Sequence, residues 1–163
     1  MKIEIERKFM VTGDGWRADA GVGRLCEQGY ILSGPDQITV RVRRIGDRGF
    51  LTLKGVTEGI SRPELEYEIP ADDAEYMLRN FCGDRIVSKK RFLVQIGEFT
   101  WEIDEFSGQN QGLVLGEIEL DSEDQVFPVP DWLGEDVSLD FHYTNASLAA
   151  NPFMEWESPT KSS

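Results

Sequence analysis

Glu4, Glu6 and Lys8 occupy every second position near the start of this chain. In a β-strand, side chains two residues apart point to the same face and lie about 7 Å from each other. Two carboxylates at that spacing repel unless a cation lies between them, and Mg²⁺ or Mn²⁺ would bind both carboxylate and phosphate oxygens. Lys8 could contact a phosphate oxygen on the same face. The triplet alone has two interpretations, which are metal-assisted phosphate chemistry and a solvated outer face.

The same alternation of charged and apolar residues recurs along the chain. The basic positions are Lys8, Arg41, Arg43, Lys54, Lys89 and Arg91, and the acidic positions are Glu4, Glu6, Glu64, Glu66, Glu68, Glu102, Asp104, Glu117 and Glu119. Most of these segments carry one sign of charge, whereas a solvated surface normally mixes the two signs. The pattern therefore fits a charged lumen that binds a polyanion and a metal, as well as a polar coat around an apolar barrel.

The elements that position these residues are extended segments with few helices. Strands are predicted over about 2–9, 26–32, 38–45, 50–54, 64–69, 86–94, 99–104 and 113–120, and helices over 16–20, 72–81, 131–134 and 144–150. This count favours a mainly β fold, an eight-stranded antiparallel closed β-barrel, over a doubly wound sheet. We expect one domain over residues 1–151, with helix 72–81 covering apolar outer faces, and a mobile C-terminal tail over 152–163.

Composition excludes several classes of function. The 163 residues carry a formal net charge of −13, which disfavours nonspecific binding to nucleic acid or to an anionic membrane. A phosphate substrate must therefore meet a local basic cluster. The chain has no P-loop and no dinucleotide-binding glycine motif. It also has no apolar leader and no run approaching about 18 apolar residues, which predicts a cytoplasmic protein.

The cysteines and the histidine narrow the chemistry further. Cys26 and Cys82 are far apart in sequence and have no C-x-x-C partner, so we expect two reduced, core-facing thiols. His142 is the only histidine, which excludes Ser/His/Asp, Cys/His and poly-histidine metal mechanisms. We interpret it as a structural or surface residue.

Taken in order, these motifs resemble the CYTH or triphosphate tunnel metalloenzyme superfamily. The motifs are Glu4-x-Glu6-x-Lys8, Arg41-x-Arg43, Lys54, Glu64-x-Glu66, Lys89-x-Arg91, Glu102-x-Asp104 and Glu117-x-Glu119. They extend from the first strand towards the C-terminus, and the likeness continues to about residue 150. The strings E-I-E-R-K-F, L-T-L-K-G, W-E-I-D-E-F and G-E-I-E-L are most similar to the small bacterial branch that hydrolyses inorganic tripolyphosphate. The resemblance implies an eight-stranded tunnel, a bound triphosphate and a required divalent metal, Mg²⁺ or Mn²⁺.

The resemblance also implies roles for individual residues. Glu4, Glu6 and Glu119 would be the main metal ligands, with Glu117 near a second ion or the attacking water. Lys8, Arg41, Arg43, Lys54, Lys89 and Arg91 would grip the phosphates, while Glu64, Glu66, Glu102 and Asp104 would line the tunnel and orient waters, metals or basic side chains. Tyr143 and Asn145 belong to a Tyr-x-Asn-x-x-Leu segment that resembles the family's C-terminal helix, for which we expect a structural or gating role.

The predicted function is metal-dependent hydrolysis of inorganic tripolyphosphate to pyrophosphate and phosphate by water. Three alternatives remain open: a class IV adenylate cyclase, a thiamine or nucleoside triphosphatase, and a noncatalytic polyphosphate-binding module. Trp16 and Trp132 could stack on a base or thiazolium ring, or pack in the core. The preferred metal, the physiological substrate and a possible homodimer are not determined by the sequence.

Overall fold

Nine β-strands and two α-helices make up the part of the chain, residues 1–34 and 36–156, that the computed structural model describes. In chain order the strands are β1 (Lys2–Val11), β2 (Arg24–Leu32), β3 (Thr39–Ile45), β4 (Arg48–Lys54), β5 (Ser61–Ile69), β6 (Ile86–Ile96), β7 (Phe99–Phe106), β8 (Val114–Glu119) and β9 (Leu133–Asp136). The helices are α1 (Ala71–Asn80) and α2 (Asn145–Ala150), and 3-10 turns lie at Gly15–Asp19, Gly108–Asn110, Phe141–Tyr143 and Phe153–Glu155. Neither α-helix in this part of the chain has the length and apolar character that crossing a bilayer requires.

Eight of these strands close into an antiparallel barrel in the order β1, β5, β4, β3, β2, β6, β7, β8 and back to β1. The predicted eight-stranded barrel is therefore confirmed. Strand β1 closes it because its first residues, Lys2 to Ile5, pair with β5 on one edge. On the other edge, Glu6 to Met10 pair with β8.

The ninth strand replaces the helix that we predicted over 131–134, and that prediction is wrong. Strand β5 begins at Ser61 and pairs only with the first half of β1, so the second half of that edge needs another partner. Strand β9 supplies it, with Leu133 opposite Val11 and Asp136 opposite Phe9. Unpaired backbone groups on β1 therefore outweigh the local tendency of the segment after Pro130 to form a helical turn.

Two tight turns set the register of the β3–β4 and β6–β7 hairpins. Gly46 and Gly97 each open a two-residue turn with a φ of 60°, the positive value that a type II′ turn requires at its first position. Glycine adopts this φ without steric cost. Because the register decides which residues face the lumen, these turns fix the alignment of the charged faces.

Outside the barrel, apolar side chains form two cores. Helix α1 packs Ala74 and Leu78 over Val42 of β3, with Cys82 buried in the same cluster. On the opposite side, Trp16 and Trp132 join a larger cluster around Trp101. Both tryptophans lie in this outer core and neither lines the lumen, so their role is packing. Both cysteines are buried free thiols. The core-facing position that we predicted holds for Cys82. It is wrong for Cys26, which lies opposite the lumen residue Lys89 and donates to Gln28 Oε1 on the same face of β2.

One end of the lumen is apolar, because the charged faces give way to uncharged, mostly apolar side chains there. Tyr30, Val87, Phe106 and Leu115 continue the lumen faces of β2, β6, β7 and β8 and pack against Leu148 of α2. Thr144 caps this helix by accepting a hydrogen bond from the backbone N–H of Ser147 at 3.1 Å. The helix predicted over 144–150 with Thr144 as its cap is confirmed.

Residues 152–156, the first part of the expected mobile tail, pack onto this end of the barrel. Phe153 and Trp156 contact the α2 cluster, and the backbone N–H of Phe153 donates to Asn110 Oδ1 at 2.8 Å. Two aromatic rings thus have apolar partners that the local sequence does not reveal. The remainder of the expected tail, residues 157–163, lies outside the described residues.

We expect Leu148→Ala to lower the free energy of unfolding by about 2–5 kcal/mol, because Leu148 is fully buried and the change leaves a cavity. Urea denaturation monitored by tryptophan fluorescence measures this loss. The matched control is Leu139→Ala, since Leu139 is 77% exposed and its truncation should cost less than about 0.5 kcal/mol. Equal effects of the two changes would show that α2 does not stabilise the barrel.

Candidate active site

A cavity of about 810 Å³ occupies the barrel, and charged side chains dominate its wall. It is lined by Lys2, Glu4, Glu6, Lys8, Arg41, Arg43, Lys54, Arg62, Glu64, Glu66, Lys89, Arg91, Glu102, Glu117 and Glu119, together with loop and α2 residues. All the predicted site residues line this cavity except Asp104. The charged faces therefore point into the lumen, and the alternative of a polar coat is wrong.

Asp104 lies behind the lysine and arginine of β6 and holds both. Its Oδ2 accepts hydrogen bonds from Lys89 Nζ and Arg91 Nη2, both at 2.8 Å, and its Oδ1 accepts from Arg91 Nε at 2.7 Å. Burial would raise the pKa of Asp104, but Arg91 and Lys89 outweigh it and hold the pKa below its usual value. Burial lowers the pKa of Lys89, against the opposing effect of Asp104. Asp104 thus fixes two phosphate-binding candidates without lining the lumen itself.

A second group lies on β3, β4 and β5. Glu66 Oε2 accepts a hydrogen bond from Thr52 Oγ1 at 2.7 Å and lies 3.4 Å from Nη2 of both Arg41 and Arg43. The buried Nε atoms of Arg41 and Arg43 have no hydrogen-bond partner within the described residues. Burial and the neighbouring Arg41 and Arg91 lower the pKa of Arg43. Glu66 is a single carboxylate shared by two guanidinium groups, so Arg41 and Arg43 keep N–H donors without a partner. An anion in the lumen would accept hydrogen bonds from these donors.

A third group surrounds Glu4 on β1. Lys54 Nζ donates to both oxygens of Glu4, at 2.9 and 3.0 Å, and lies 3.4 Å from Glu64. Arg62 Nε donates to Glu4 Oε1 at 3.3 Å. Burial would raise the pKa of Glu4, but Lys54 and Arg62 outweigh it and hold the pKa at about 2. Glu4 is therefore ionised and engaged by two cations.

Of the remaining carboxylates, Glu102 on β7 accepts from Arg91 Nη1 at 3.1 Å. The others lie along the pairing of β1 with β8, where Glu6 is opposite Glu119 and Lys8 is opposite Glu117. Glu117 Oε1 accepts from Arg91 Nη2 at 3.3 Å. Burial would raise the pKa of Glu117, but Lys8, Arg91 and Lys89 hold it well below its usual range. Glu119, at the exposed end of the strand, lies 2.6 Å from the ammonium group of Lys2.

Glu6 differs from its neighbours because its side chain makes no hydrogen bond or ion pair with any described residue. Burial, reinforced by the nearby Glu117 and Glu4, raises the pKa of Glu6 to about 8. A divalent cation beside Glu6 would favour its ionised form. Glu6 is thus the lumen carboxylate with most to gain from a metal.

The donor set fits a divalent metal that keeps much of its own solvent. Among the described residues, no three Asp, Glu, His or Cys side chains converge on a closed metal site. Mg²⁺ characteristically takes one or two carboxylates and completes its shell with water and phosphate oxygens. Glu6, with Glu4, Glu117 and Glu119 on the same wall, satisfies that requirement with oxygen ligands only.

The 3-10 turn Phe141–Tyr143 and the first residue of α2 contact the site. Lys8 Nζ donates to the backbone carbonyl of Tyr143 at 3.1 Å, and Lys89 Nζ donates to Asn145 Oδ1 at 3.0 Å. Two lumen lysines are therefore held by the segment that begins α2, in addition to any carboxylate partner. His142 lines the cavity nearby and is mostly exposed, with its ring 2.8 Å from Asp140.

Arg62 and Lys2 are the lumen cations that sequence reasoning missed. Both share the lumen face of their strands, Arg62 two residues before Glu64 and Lys2 two residues before Glu4. The alternation could have identified both. Pro63 explains why Arg62 was not predicted, because a proline suggests the end of a strand. In the structure, β5 begins at Ser61 and includes Pro63.

The fold is a closed antiparallel barrel, and its lumen is lined by cations and carboxylates, many of them in ion pairs. Such a lumen is suited to binding a polyanion. The CYTH domain family matches residues 2–150, so the chain belongs to this family and the resemblance seen in the sequence is confirmed. Triphosphatases of this family depend on a divalent metal.

Two curated relatives and one solved structure are similar over almost their whole length. The chain is 47% identical to the inorganic triphosphatase of Acetivibrio thermocellus over 157 residues, covering 96% of this chain and 99% of the relative. It is 38% identical to the inorganic triphosphatase of Nitrosomonas europaea over 151 residues, covering 90% and 96%. A crystal structure of an inorganic triphosphatase superposes with a TM-score of 0.64 at 34% identity, covering 91% of this chain and 95% of the other.

We expect Glu6→Gln to stabilise the metal-free protein much more at pH 9 than at pH 5. The folded state holds the Glu6 proton up to about pH 8, whereas the unfolded chain releases it near pH 4.3, so stability falls as pH rises between these values. The neutral amide removes this loss. The expected gain at pH 9 is at least about 1 kcal/mol, or roughly 2–4 °C in Tm.

Thermal unfolding in chelator at both pH values measures this gain. Glu68→Gln is the matched control, because Glu68 is exposed, pairs with Arg48 and does not line the cavity. It should not gain stability at pH 9. An effect of Glu6→Gln that is the same at pH 5 and pH 9 would contradict the assignment of Glu6 as the unpaired lumen carboxylate.

Proposed function

We propose that this protein hydrolyses inorganic tripolyphosphate to pyrophosphate and orthophosphate with the help of Mg²⁺ or Mn²⁺. The observation that carries the proposal is the excess of unsatisfied guanidinium donors on β3 in a lumen that also holds an unpaired carboxylate. A linear polyanion would accept hydrogen bonds from the guanidinium donors, and a divalent cation would bind the unpaired carboxylate. Both full-length relatives are named inorganic triphosphatases, which supports the same substrate class.

Six lumen cations would bind a phosphate chain from several sides. They come from different strands of the barrel: Lys8, Arg41, Arg43, Lys54, Lys89 and Arg91. Asp104 fixes Lys89 and Arg91, and Glu66 with Thr52 orients Arg41, so these donors are positioned before substrate enters. Preorganised donors stabilise charge on the transferred and leaving phosphates at little reorganisation cost. Phosphoryl transfer depends mainly on such positioning.

The reaction is in-line attack of water on a terminal phosphorus. When bound, the divalent metal would neutralise phosphate charge and lower the pKa of a coordinated water. Glu4, Glu6 and Glu119 would hold it. Glu117 would orient the water by accepting a hydrogen bond from it. Because its pKa is depressed, its carboxylate is only weakly basic and would be a poor general base. The ammonium and guanidinium groups would stabilise the pyrophosphate that leaves.

A substrate panel tests the proposal. Tripolyphosphate, pyrophosphate, ATP and thiamine triphosphate are incubated with the protein and Mg²⁺ or Mn²⁺, and orthophosphate, pyrophosphate and cyclic AMP are quantified. We expect orthophosphate from tripolyphosphate at a much higher rate than from the other compounds. Cyclic AMP with pyrophosphate would support the cyclase instead. Tripolyphosphate binding without turnover in either metal would support the noncatalytic module.

We expect Glu4→Gln and Glu119→Gln each to reduce kcat/KM for tripolyphosphate by about 100-fold or more, because each removes a metal-ligand oxygen. Steady-state phosphate release over a range of metal concentrations measures the effect. Glu68→Gln, at the exposed rim, should stay within about twofold of the parent. Near-normal activity of both lumen variants at saturating metal would show that the ligands are assigned wrongly.

A further inference from the structure

Arg62 is a lumen cation outside the charged motifs, and a single contact holds it. It lies on β5 directly opposite Glu4 of β1, and its Nε donates to Glu4 Oε1 at 3.3 Å. Its other guanidinium nitrogens have no partner among the described residues. The side chain lines the cavity and is 25% exposed. Arg62 therefore has both donors to spare and room to move.

Arg91 is held by more contacts than Arg62 and is an example of a lumen arginine that is fixed in place. It donates to Asp104 through two nitrogens, to Glu102 at 3.1 Å and to Glu117 at 3.3 Å, and its side chain is 15% exposed. Leaving that position would break several charge-assisted hydrogen bonds. Arg62 would break one long, partly exposed contact, which contributes little.

Glu4 cannot keep all its present partners if it is to bind a metal. Both of its oxygens already accept hydrogen bonds from Lys54, and Oε1 also accepts from Arg62. A divalent cation needs one of these oxygens, and its charge would repel the two cations beside it. Lys54 is almost fully buried and is also 3.4 Å from Glu64, so Arg62 is the freer of the two.

We propose that Arg62 is an exchangeable counter-cation that neutralises Glu4 in the metal-free lumen and moves to a phosphate oxygen when metal and triphosphate bind. This inference rests on the proposed function. It makes the two ligands cooperative, because a phosphate that attracts Arg62 exposes Glu4, and metal at Glu4 releases Arg62 to the phosphate. By linkage, each ligand strengthens the other by the same factor.

The test measures metal binding rather than turnover. Mn²⁺ alone is titrated into the full chain, and free Mn²⁺ is quantified by electron paramagnetic resonance for the parent and for Arg62→Gln. Removing a competitor of the metal should tighten Mn²⁺ binding by roughly fivefold, at the lower end of usual ligand coupling. If Arg62→Gln leaves Mn²⁺ affinity unchanged or weakens it, Arg62 does not compete with metal at Glu4 and the proposal is overturned.

A second titration contains saturating imidotriphosphate, whose bridging nitrogens prevent hydrolysis. The Mn²⁺ that the analogue binds in the absence of protein is measured separately and subtracted. The analogue should tighten Mn²⁺ binding in the parent, and this coupling factor should be roughly fivefold smaller in Arg62→Gln, because the exchange between Glu4 and phosphate is lost. If the coupling factor is the same in Arg62→Gln as in the parent, Arg62 does not exchange between Glu4 and phosphate, and the proposal is overturned.

Two arginine variants control for the loss of charge. Arg79→Gln removes an arginine from α1 that is 73% exposed and pairs with Glu75, and it should leave Mn²⁺ affinity unchanged. Arg43→Gln removes a lumen arginine that contacts Glu66 and not Glu4. Tightening by Arg43→Gln equal to that by Arg62→Gln would show a general effect of lumen charge and overturn the proposal.

The result can be separated from the fate of the proposed function. Phosphate release by the parent protein reports whether tripolyphosphate is hydrolysed, whereas the Mn²⁺ titration requires only that metal binds. Thermal unfolding of Arg62→Gln confirms that the barrel is intact, which we expect since Arg62 makes one partly exposed contact. A folded parent that binds Mn²⁺ without turnover would therefore still test Arg62.

Discussion

Buried charges inside the barrel must each be compensated by a partner, and this requirement determines the register of the strands. Taking an ion out of water costs several kcal/mol unless a partner and further hydrogen bonds replace its hydration. Lys54 meets that condition with Glu4, and Lys89 and Arg91 meet it with Asp104. These pairs join different strands, so they exist only in one register. A slip by one residue would turn every charged side chain outwards and every apolar one inwards.

This constraint also explains why two of the apolar cores lie outside the barrel. Where the lumen faces carry charge, the apolar side chains lie on the outer faces of the strands, and most of the large ones are covered. Helix α1 covers β3, while the segment with Trp16 and the loop that carries Phe127 and Trp132 cover the opposite side. Where compensation is incomplete, at Glu6 and at the Nε atoms of Arg41 and Arg43, the lumen is ready for ligands of opposite charge.

The sequence predicts the barrel and most lumen residues well, because charge alternation has the same period as a strand. It fails where a long-range partner decides the outcome. The segment near Leu133 becomes β9 because half an edge of β1 needs pairing, and Phe153 packs because α2 offers an apolar surface. Which carboxylate stays unpaired could not be predicted either. Glu4 and Glu6 have the same local pattern, but only Glu4 faces Arg62 across the barrel seam.

The most direct test of the proposed function follows tripolyphosphate hydrolysis in ¹⁸O-labelled water by ³¹P nuclear magnetic resonance. With Mg²⁺ or Mn²⁺ present, we expect equal amounts of orthophosphate and pyrophosphate, with ¹⁸O in the orthophosphate alone, because water would attack a terminal phosphorus. Chelator should stop the reaction. Label in the pyrophosphate would contradict terminal attack, and bound tripolyphosphate that remains intact in both metals would contradict the assignment of this barrel as a triphosphate hydrolase.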